Sequence, residues 1–318
     1  MKISLLEPIG VSKALIEELS AGLKAQGHEF FYYDTKTTDP KELIARSKGS
    51  QIVMIANNPY PAEVVEAADA LKMLDVAFTG IDHIGLDAVK RKGVMVCNAA
   101  NYSNQTVAEL VIGLTIGLMR KMVAADAATR AGGTAAGLMG TEISGRTVGI
   151  IGTGRIGLMT ARLFKAFGAK LIGYSRSVSK EALELGLEYV SLEQLMEQSD
   201  IVSLHVPNNA ATKGMIHADL IARMKKTALF INCARGPIVD NAALAKALEE
   251  GKIAGAGIDV YDMEPPIPAD YPLLHAPNTI LTPHVAFSSE ESMIRRAKIV
   301  FQNLYAYLEG KPENVCEL

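Results

Sequence analysis

Arg235, Glu264 and His284 are side chains of the kind that hold anions and move protons. Each follows a short apolar run of strand character: Thr227 to Cys233, Ala254 to Val260, and Ile280 with Leu281. In a parallel sheet the carboxyl ends of such runs share one edge, so the three can face a common ligand. The ordinary pKa of histidine lies near working pH, which suits His284 to general acid/base work. The planar fork of Arg235 can hold a carboxylate and a carbonyl oxygen together, and Glu264 can hydrogen-bond His284 and fix its orientation. Hydride transfer between a hydroxyl-bearing carbon and a nicotinamide needs such groups: an acid/base for the oxygen's proton and a cation that orients and polarises the carbonyl. Each residue also has a plain structural reading. Arg235 before Gly236-Pro237 can be a loop cation, Glu264 before Pro265-Pro266 a solvated turn residue, and His284 after Pro283 a satisfied core histidine.

The nucleotide for such chemistry has its own signature upstream. Val148 to Ile151 reads as a β-branched strand that breaks into Gly152-Thr153-Gly154-Arg155-Ile156-Gly157, followed by a helical apolar pattern at Ile156, Met159, Leu163 and Phe167. A bare glycine pattern is weak. Between a strand and a helix, with a second strand at Lys170 to Tyr174, it reads as a dinucleotide turn: Gly152 for the tight bend, Gly154 for close approach of the pyrophosphate, Gly157 for helix–strand packing. The helix N-terminus offers unpaired N–H groups to the anion. An NAD-preferring site usually places Asp or Glu about 20 residues past the motif. Here the second strand ends in Tyr174-Ser175-Arg176-Ser177, and no acidic residue occurs between Glu142 and Glu181. Arg176 with the Ser175 and Ser177 hydroxyls suits a 2′-phosphate, which favours NADP over NAD. The alternative is a solvated Arg176 and NAD bound without a carboxylate clamp.

The rest of the chain must position these parts. At 318 residues with 49% hydrophobic content it can fill two cores. Before Ala99, short strands (Ile3 to Leu6, Phe30 to Tyr33, Ile52 to Ala56, Leu74 to Phe78, Val94 to Cys97) alternate with helical segments, the pattern of a parallel sheet covered on both faces. Between the last two of these strands, Thr79-Gly80-Ile81 reads either as a carboxylate-binding loop or as a simple turn with Asp82 as a helix cap; His83 reads as a turn residue. A long helix is expected from Ser103 to about Lys121, then a glycine-rich section from Gly132 to Gly140. An amphipathic helix, Glu290 to Leu308, is expected to pack back on the first domain. The expected organisation is therefore α/β, with a domain boundary near Ala99 and parallel sheets on both sides of it.

Composition narrows the partners. A net charge of −3 with scattered Lys and Arg gives no nucleic-acid footprint. Cys97, Cys233 and Cys316 are far apart in sequence and suggest neither a disulfide framework nor a metal site, so reduced thiols and a cytoplasmic location are expected. Glu7 and Pro8 come too early for a signal peptide, and Leu110 to Met119 falls short of the roughly 20 apolar residues of a membrane span.

Taken together, Gly152 to Gly157, His205-Val206-Pro207 with Thr212-Lys213-Gly214, Asn232-Cys233-Ala234-Arg235-Gly236 through Asp240, Gly257 to Tyr261 with Glu264-Pro265, and Thr282-Pro283-His284 resemble the D-isomer-specific 2-hydroxyacid dehydrogenases. Asn98, Val107-Ala108-Glu109 and Glu309 to Pro312 fit the same likeness, which covers nearly the whole chain. The resemblance implies a Rossmann-like nucleotide domain, 99–288, inserted into a discontinuous flavodoxin-like substrate domain, 1–98 with 289–318, each a doubly wound parallel sheet. It implies an Arg-Glu-His set at Arg235, Glu264 and His284, and a homodimer built largely through the helix after Asn104. It implies cofactor contacts at Thr106, Arg155, Ile156, His205, Pro207, Thr212, Cys233, Ala234 and Asp259, the last toward the nicotinamide carboxamide. It implies substrate contacts around Phe78, Thr79, Gly80 and Ile81. Members acting on phosphoglycerate look as though they carry arginine just before that loop, whereas this chain has Val76 and no Lys or Arg between Lys72 and Lys90. A small unphosphorylated 2-oxo acid, reduced to its (R)-2-hydroxy acid with NAD(P)H, is the expected substrate, with Phe78 as an apolar wall. The rivals are a phosphoglycerate dehydrogenase of serine biosynthesis and a non-catalytic nucleotide-sensing co-regulator on the same fold.

Overall fold

A computed structural model describes residues 1–318. The chain divides into two compact units, Met1–Ser103 with Ser288–Leu318, and Asn104–Phe287. The first unit runs β1 (Lys2–Leu5), α1 (Lys13–Ala25), β2 (Glu29–Tyr32), α2 (Pro40–Ser47), β3 (Ile52–Ile55), α3 (Ala62–Ala67), β4 (Met73–Val76), α4 (Leu86–Lys92) and β5 (Met95–Asn98). All pairings between these strands are parallel, in the order β2-β1-β3-β4-β5, the flavodoxin-like arrangement. β3 and β4 are buried along their whole length, as strands covered by helices on both faces must be. Polar caps start the flanking helices: the Ser12 hydroxyl accepts from Leu15 N and the Asp39 carboxylate from Lys41 N.

The second unit opens with α5 (Asn104–Met119) and α6 (Met122–Arg130) and continues through β6 (Thr147–Ile151), α7 (Arg155–Ala166), β7 (Lys170–Tyr174), α8 (Lys180–Glu184), β8 (Glu188–Tyr189), α9 (Leu192–Gln198), β9 (Ile201–Leu204), α10 (Ala218–Ile221), β10 (Leu229–Asn232), α11 (Asn241–Glu249), β11 (Gly255–Ile258) and β12 (Thr279–Leu281). Its seven strands, again all parallel, lie in the order β12-β11-β10-β9-β6-β7-β8. The order reverses between β6 and β9, which makes the carboxyl ends of those two strands the topological switch point. One core joins Val148 and Ile150 of β6 to Val107 and Val111 of α5 and Leu158, Ala161 and Phe164 of α7. The other joins Ile151 to Leu195 of α9 and Leu244 of α11, so successive β6 residues feed opposite faces.

The last helix, α12 (Glu290–Leu308), returns to the first unit, where Arg296 donates to Ile9 O at 2.7 Å. Its Ser289 cap is reciprocal: Ser292 N donates to Ser289 Oγ and Ser289 N to Ser292 Oγ. Of the stripe that the periodicity predicts, Met293, Ala297, Val300 and Leu304 are buried, and Leu308 at its end is half-buried.

Several elements differ from the sequence reading. The units meet at Ser103 and Asn104, a few residues after Ala99, because α5 belongs wholly to the second unit. The helix expected to about Lys121 is α5, which ends at Met119; a second helix that the sequence reading lacks, α6, follows from Met122, with Lys121 between the two at a left-handed φ of 52°. Asp82 caps no helix: α4 begins at Leu86 with Gly85 at its cap. The short elements α4, α8, β8 and α10 have too few residues to show a period. No helix is long and apolar enough to cross a membrane.

Candidate active site

Arg235 is presented by a turn that Asn232 closes. At the end of β10 the Asn232 Oδ1 accepts from Ala234 N at 2.9 Å, and its Nδ2 donates to Arg235 O at 3.1 Å. Arg235 Nη1 donates to Ala234 O at 2.8 Å. The next residue has to be glycine: a Cβ on Gly236 would lie 1.9 Å from Tyr261 O, so the turn after β10 packs backbone to backbone on the segment after β11. Asn241 reinforces that contact, donating to both Gly236 O at 3.2 Å and Asp262 Oδ1 at 2.8 Å. Glu264 follows on this second segment.

Glu264 and His284 meet directly. His284 Nδ1 donates to Glu264 Oε2 at 2.7 Å and lies 3.0 Å from Oε1. The histidine side chain is nearly covered, at 10% exposure, whereas that of Glu264 is 60% exposed. His284 also stands in the left-handed region, with φ of 57°, a conformation uncommon for a residue with a side chain. Its environment enforces this. His284 N donates to Asp259 O at 2.8 Å, and the fully buried Asp259 carboxylate accepts from Thr282 Oγ1 at 2.6 Å, Val285 N at 2.8 Å and Ala286 N at 2.8 Å. Burial pushes the Asp259 carboxyl above the usual carboxylate range, against the pull of those donors. The donors to the Asp259 carboxylate all lie on residues 282–286, so its oxygens hold the loop that carries His284. His284 and Phe287 pack edge to face, 5.5 Å between centroids.

The glycine turn at the end of β6 fits a dinucleotide pyrophosphate. Gly152 has φ of 99°, and a Cβ there would lie 2.7 Å from His205 O. A Cβ on Gly157 would lie 2.0 Å from Gly152 O, so the start of α7 sits directly on the turn. Around Gly154, by contrast, space is open: a Cβ there meets nothing within 4 Å. Tight packing behind and open space in front are what a backbone that approaches phosphate oxygens requires. Arg155 and Ile156 begin the helix.

The remaining expected contacts fall around the same sheet edge or are engaged locally. Ser175 and Arg176 follow β7, with Arg176 exposed. His205 follows β9; burial pulls its imidazole down to about 3, so it is neutral at working pH, with Nε2 2.8 Å from Ser203 Oγ. Thr212 Oγ1 donates to Pro207 O and accepts from Asn209 N, which shapes the 207–212 loop. Cys233 is buried and its thiol pushed well up by burial; Ala234 is half-buried. Thr106 lies in the first turn of α5, the helix that packs on α7. No cluster of His, Cys, Asp or Glu is arranged to hold a metal ion.

In the first unit, Thr79-Gly80-Ile81 follows β4 at the carboxyl edge of that sheet. Asn98 Nδ2 donates to Thr79 O at 2.8 Å and Ala99 N donates to Phe78 O at 3.1 Å, which pins the loop to the end of β5. Phe78 is buried against His83 and Tyr102, with centroids 6.3 Å away in each case. Asn98 and Asn232 were legible as polar residues at strand ends; their hydrogen-bond partners were not.

The chain is similar to known proteins over nearly its whole length. Residues 112–286 match the family model described as D-isomer specific 2-hydroxyacid dehydrogenase, NAD binding domain. A glyoxylate reductase of Korarchaeum cryptofilum is 40% identical over 291 residues, 89% of this chain and 87% of that protein. A D-3-phosphoglycerate dehydrogenase of Methanocaldococcus jannaschii is 38% identical over 283 residues, 87% of this chain but only 54% of that longer protein. Among solved structures, an acyclic imino acid reductase in complex with NADPH and D-Arg superposes with a TM-score of 0.89 at 31% identity, with both chains fully covered. A glycine turn at the switch point, a Glu–His pair on the same sheet edge and this breadth of likeness lead to one conclusion: the chain belongs to the D-isomer-specific 2-hydroxyacid dehydrogenase family.

Proposed function

We propose that the protein reduces a small unphosphorylated 2-oxo acid to its (R)-2-hydroxy acid, with NADPH preferred over NADH. The observation that carries the reading is the Glu264–His284 hydrogen bond, on the sheet edge that also bears the glycine turn and Arg235. The nicotinamide supplies the hydride when bound. Gly152, Gly154 and the N-terminal turn of α7 hold its pyrophosphate. Arg235 pairs with the substrate carboxylate and polarises the 2-oxo group, and the backbone N–H groups of Gly80 and Ile81 take the rest of the carboxylate charge. Because Glu264 accepts from Nδ1, His284 is left with Nε2 to deliver a proton to the carbonyl oxygen as that oxygen gains the electron pair of the C=O bond. The products are a hydroxyl, a new C–H bond and an imidazole that must recover its proton from solvent.

Support for NADPH comes from the residues beyond β7. Arg176 is exposed beside Ser175, and the first acidic residue past the turn, Glu181, is paired with Arg162 of α7. For the substrate, the buried Phe78 and the lack of Lys or Arg between Lys72 and Lys90 disfavour a phosphate and favour an apolar side chain. A second copy of the chain is the proposed partner. No residue of α6 is buried, and Met122 and Val123 there are 55% and 63% exposed, with Met139 at 88% beyond it.

A panel of 2-oxo acids followed by NADPH and NADH absorbance tests the reading. Turnover of glyoxylate- or pyruvate-like acids with NADPH, lost by roughly 100-fold or more in His284→Ala, is expected. Near-normal turnover in that variant would remove the mechanism, and the absence of turnover with any oxo acid would favour a nucleotide-binding regulator. Preference for 3-phosphohydroxypyruvate would favour the phosphoglycerate reading.

A further inference from the structure

Between β7 and α8 the chain makes a five-residue loop, Ser175 to Ser179, in which Arg176, Ser177 and Val178 are exposed. Both ends are tied to the glycine turn. Where the loop begins, Gly152 N donates to Tyr174 O at 2.7 Å, an extension of the β6–β7 ladder. Where it finishes, the tie is a side chain from a different part of the sequence. Ser179 N donates to the Tyr189 hydroxyl at 2.9 Å, and that hydroxyl is hydrogen-bonded to Thr153 Oγ1 at 2.7 Å. Thr153 lies within the glycine turn, and Tyr189 sits on the two-residue edge strand β8, opposite Gly173 of β7.

A phenol in this position does what the backbone cannot. The ladder stops at Tyr174, so nothing in the β6–β7 pairing fixes the far end of the loop. The Ser179 side chain caps α8 by accepting from Ala182 N, which sets the helix start but not its distance from the glycine turn. The Tyr189 hydroxyl sets that distance. We infer that Tyr189 is a positioning residue for the 2′-phosphate of NADP: by joining Thr153 to Ser179 it holds Arg176 and Ser175 at a fixed reach from the pyrophosphate turn, and so contributes to the choice between NADPH and NADH. A guanidinium whose loop is preorganised loses less freedom on pairing with a phosphate than one on a loose loop. The inference rests on the proposed NADPH preference and on Arg176 as the residue that meets the phosphate.

The test is calorimetric binding of two fragments to the full chain, 2′,5′-ADP and 5′-AMP, whose affinity ratio isolates the 2′-phosphate. The wild type is compared with Tyr189→Phe, Arg176→Ala and the double variant. Tyr189→Phe keeps the ring and removes one hydroxyl; it should cost about five-fold in 2′,5′-ADP affinity and leave 5′-AMP binding unchanged. Since Tyr189 acts through Arg176, adding Tyr189→Phe to Arg176→Ala should change the ratio no further. Equal weakening of both fragments by Tyr189→Phe would mean a general structural role and overturn the inference, as would an unchanged ratio. Additive losses in the double variant would also overturn it. Should Arg176→Ala leave the ratio as in the wild type, the NADP reading itself fails, which is a separate result from a failure confined to Tyr189.

Discussion

Glu264 meets His284 at Nδ1, with Oε2 at 2.7 Å, while its own carboxylate stands largely in solvent. The pair therefore fixes a tautomer and an orientation more than it builds a buried charge. Glu264→Gln can still accept from Nδ1 through its amide oxygen but brings no charge to the imidazolium, so kcat should fall roughly 10-fold; Glu264→Ala loses orientation as well and should fall roughly 100-fold. Steady-state rates at saturating cofactor distinguish these cases, and Glu264→Ala turning over like the wild type would detach the carboxylate from the proton transfer.

The two ends of the glycine turn should respond differently to a methyl group. Gly154 has a negative φ of −73° and open space ahead of it, so Gly154→Ala should fold normally, with an unchanged melting temperature, and raise the KM for NAD(P)H about 10-fold by occupying the approach of the phosphates. Gly157→Ala would place a carbon 2.0 Å from Gly152 O, which forces the helix start away from the strand. It should destabilise the second unit by about 1–3 kcal/mol as well as weaken cofactor binding. Equal effects of the two substitutions on stability would contradict the packing described.

Asp259 anchors the loop from Thr282 to Ala286 through three accepted hydrogen bonds, two of them from backbone N–H groups. Asparagine is nearly isosteric but must turn an N–H toward at least one of those donors. Asp259→Asn should cost about 2–3 kcal/mol in stability and lower kcat, because the left-handed backbone of His284 depends on this loop. Hydrogen exchange at Val285 and Ala286 measures the loosening directly, and unaltered protection at both would refute it.

Much of this site was legible in the sequence because it lies where local signals are strong. A glycine turn between a strand and a helix declares itself, and parallel strands must bring their carboxyl ends to one edge, so Glu264 and His284 could be expected to meet from chain order alone. What stayed hidden depends on tertiary contacts with no local pattern. The duty of Asp259 is set by backbone donors more than twenty residues downstream. Tyr189 belongs to a strand of two residues, too short for any alternation to register, and its role comes from where β8 docks on β7. Lys121 sets α6 off from α5 through a left-handed φ that its residue type does not announce.

Asp75 gives the first unit a pH dependence of its own. It lies in β4 with no solvent exposure, opposite Cys97 of β5; Asn303 Nδ2 donates to Oδ1 at 3.0 Å, and Oδ2 has no hydrogen-bond partner. Burial raises its pKa well above 3.8, outweighing the Asn303 hydrogen bond. In the unfolded chain the carboxyl loses its proton near 3.8, whereas the folded protein retains it to higher pH. Over that interval the native state binds more protons than the unfolded state, so this group makes stability fall as pH rises. Asp75→Asn carries no charge in either state and still offers an oxygen to Asn303. Relative to the wild type, its melting temperature should therefore climb as the pH is raised above about 4, by on the order of 2–4 °C for each kcal/mol of relief. Thermal melts of both proteins across that range provide the check. Parallel curves, or a variant that loses ground as pH rises, would show that Asp75 is ionised in the folded protein and compensated by its surroundings.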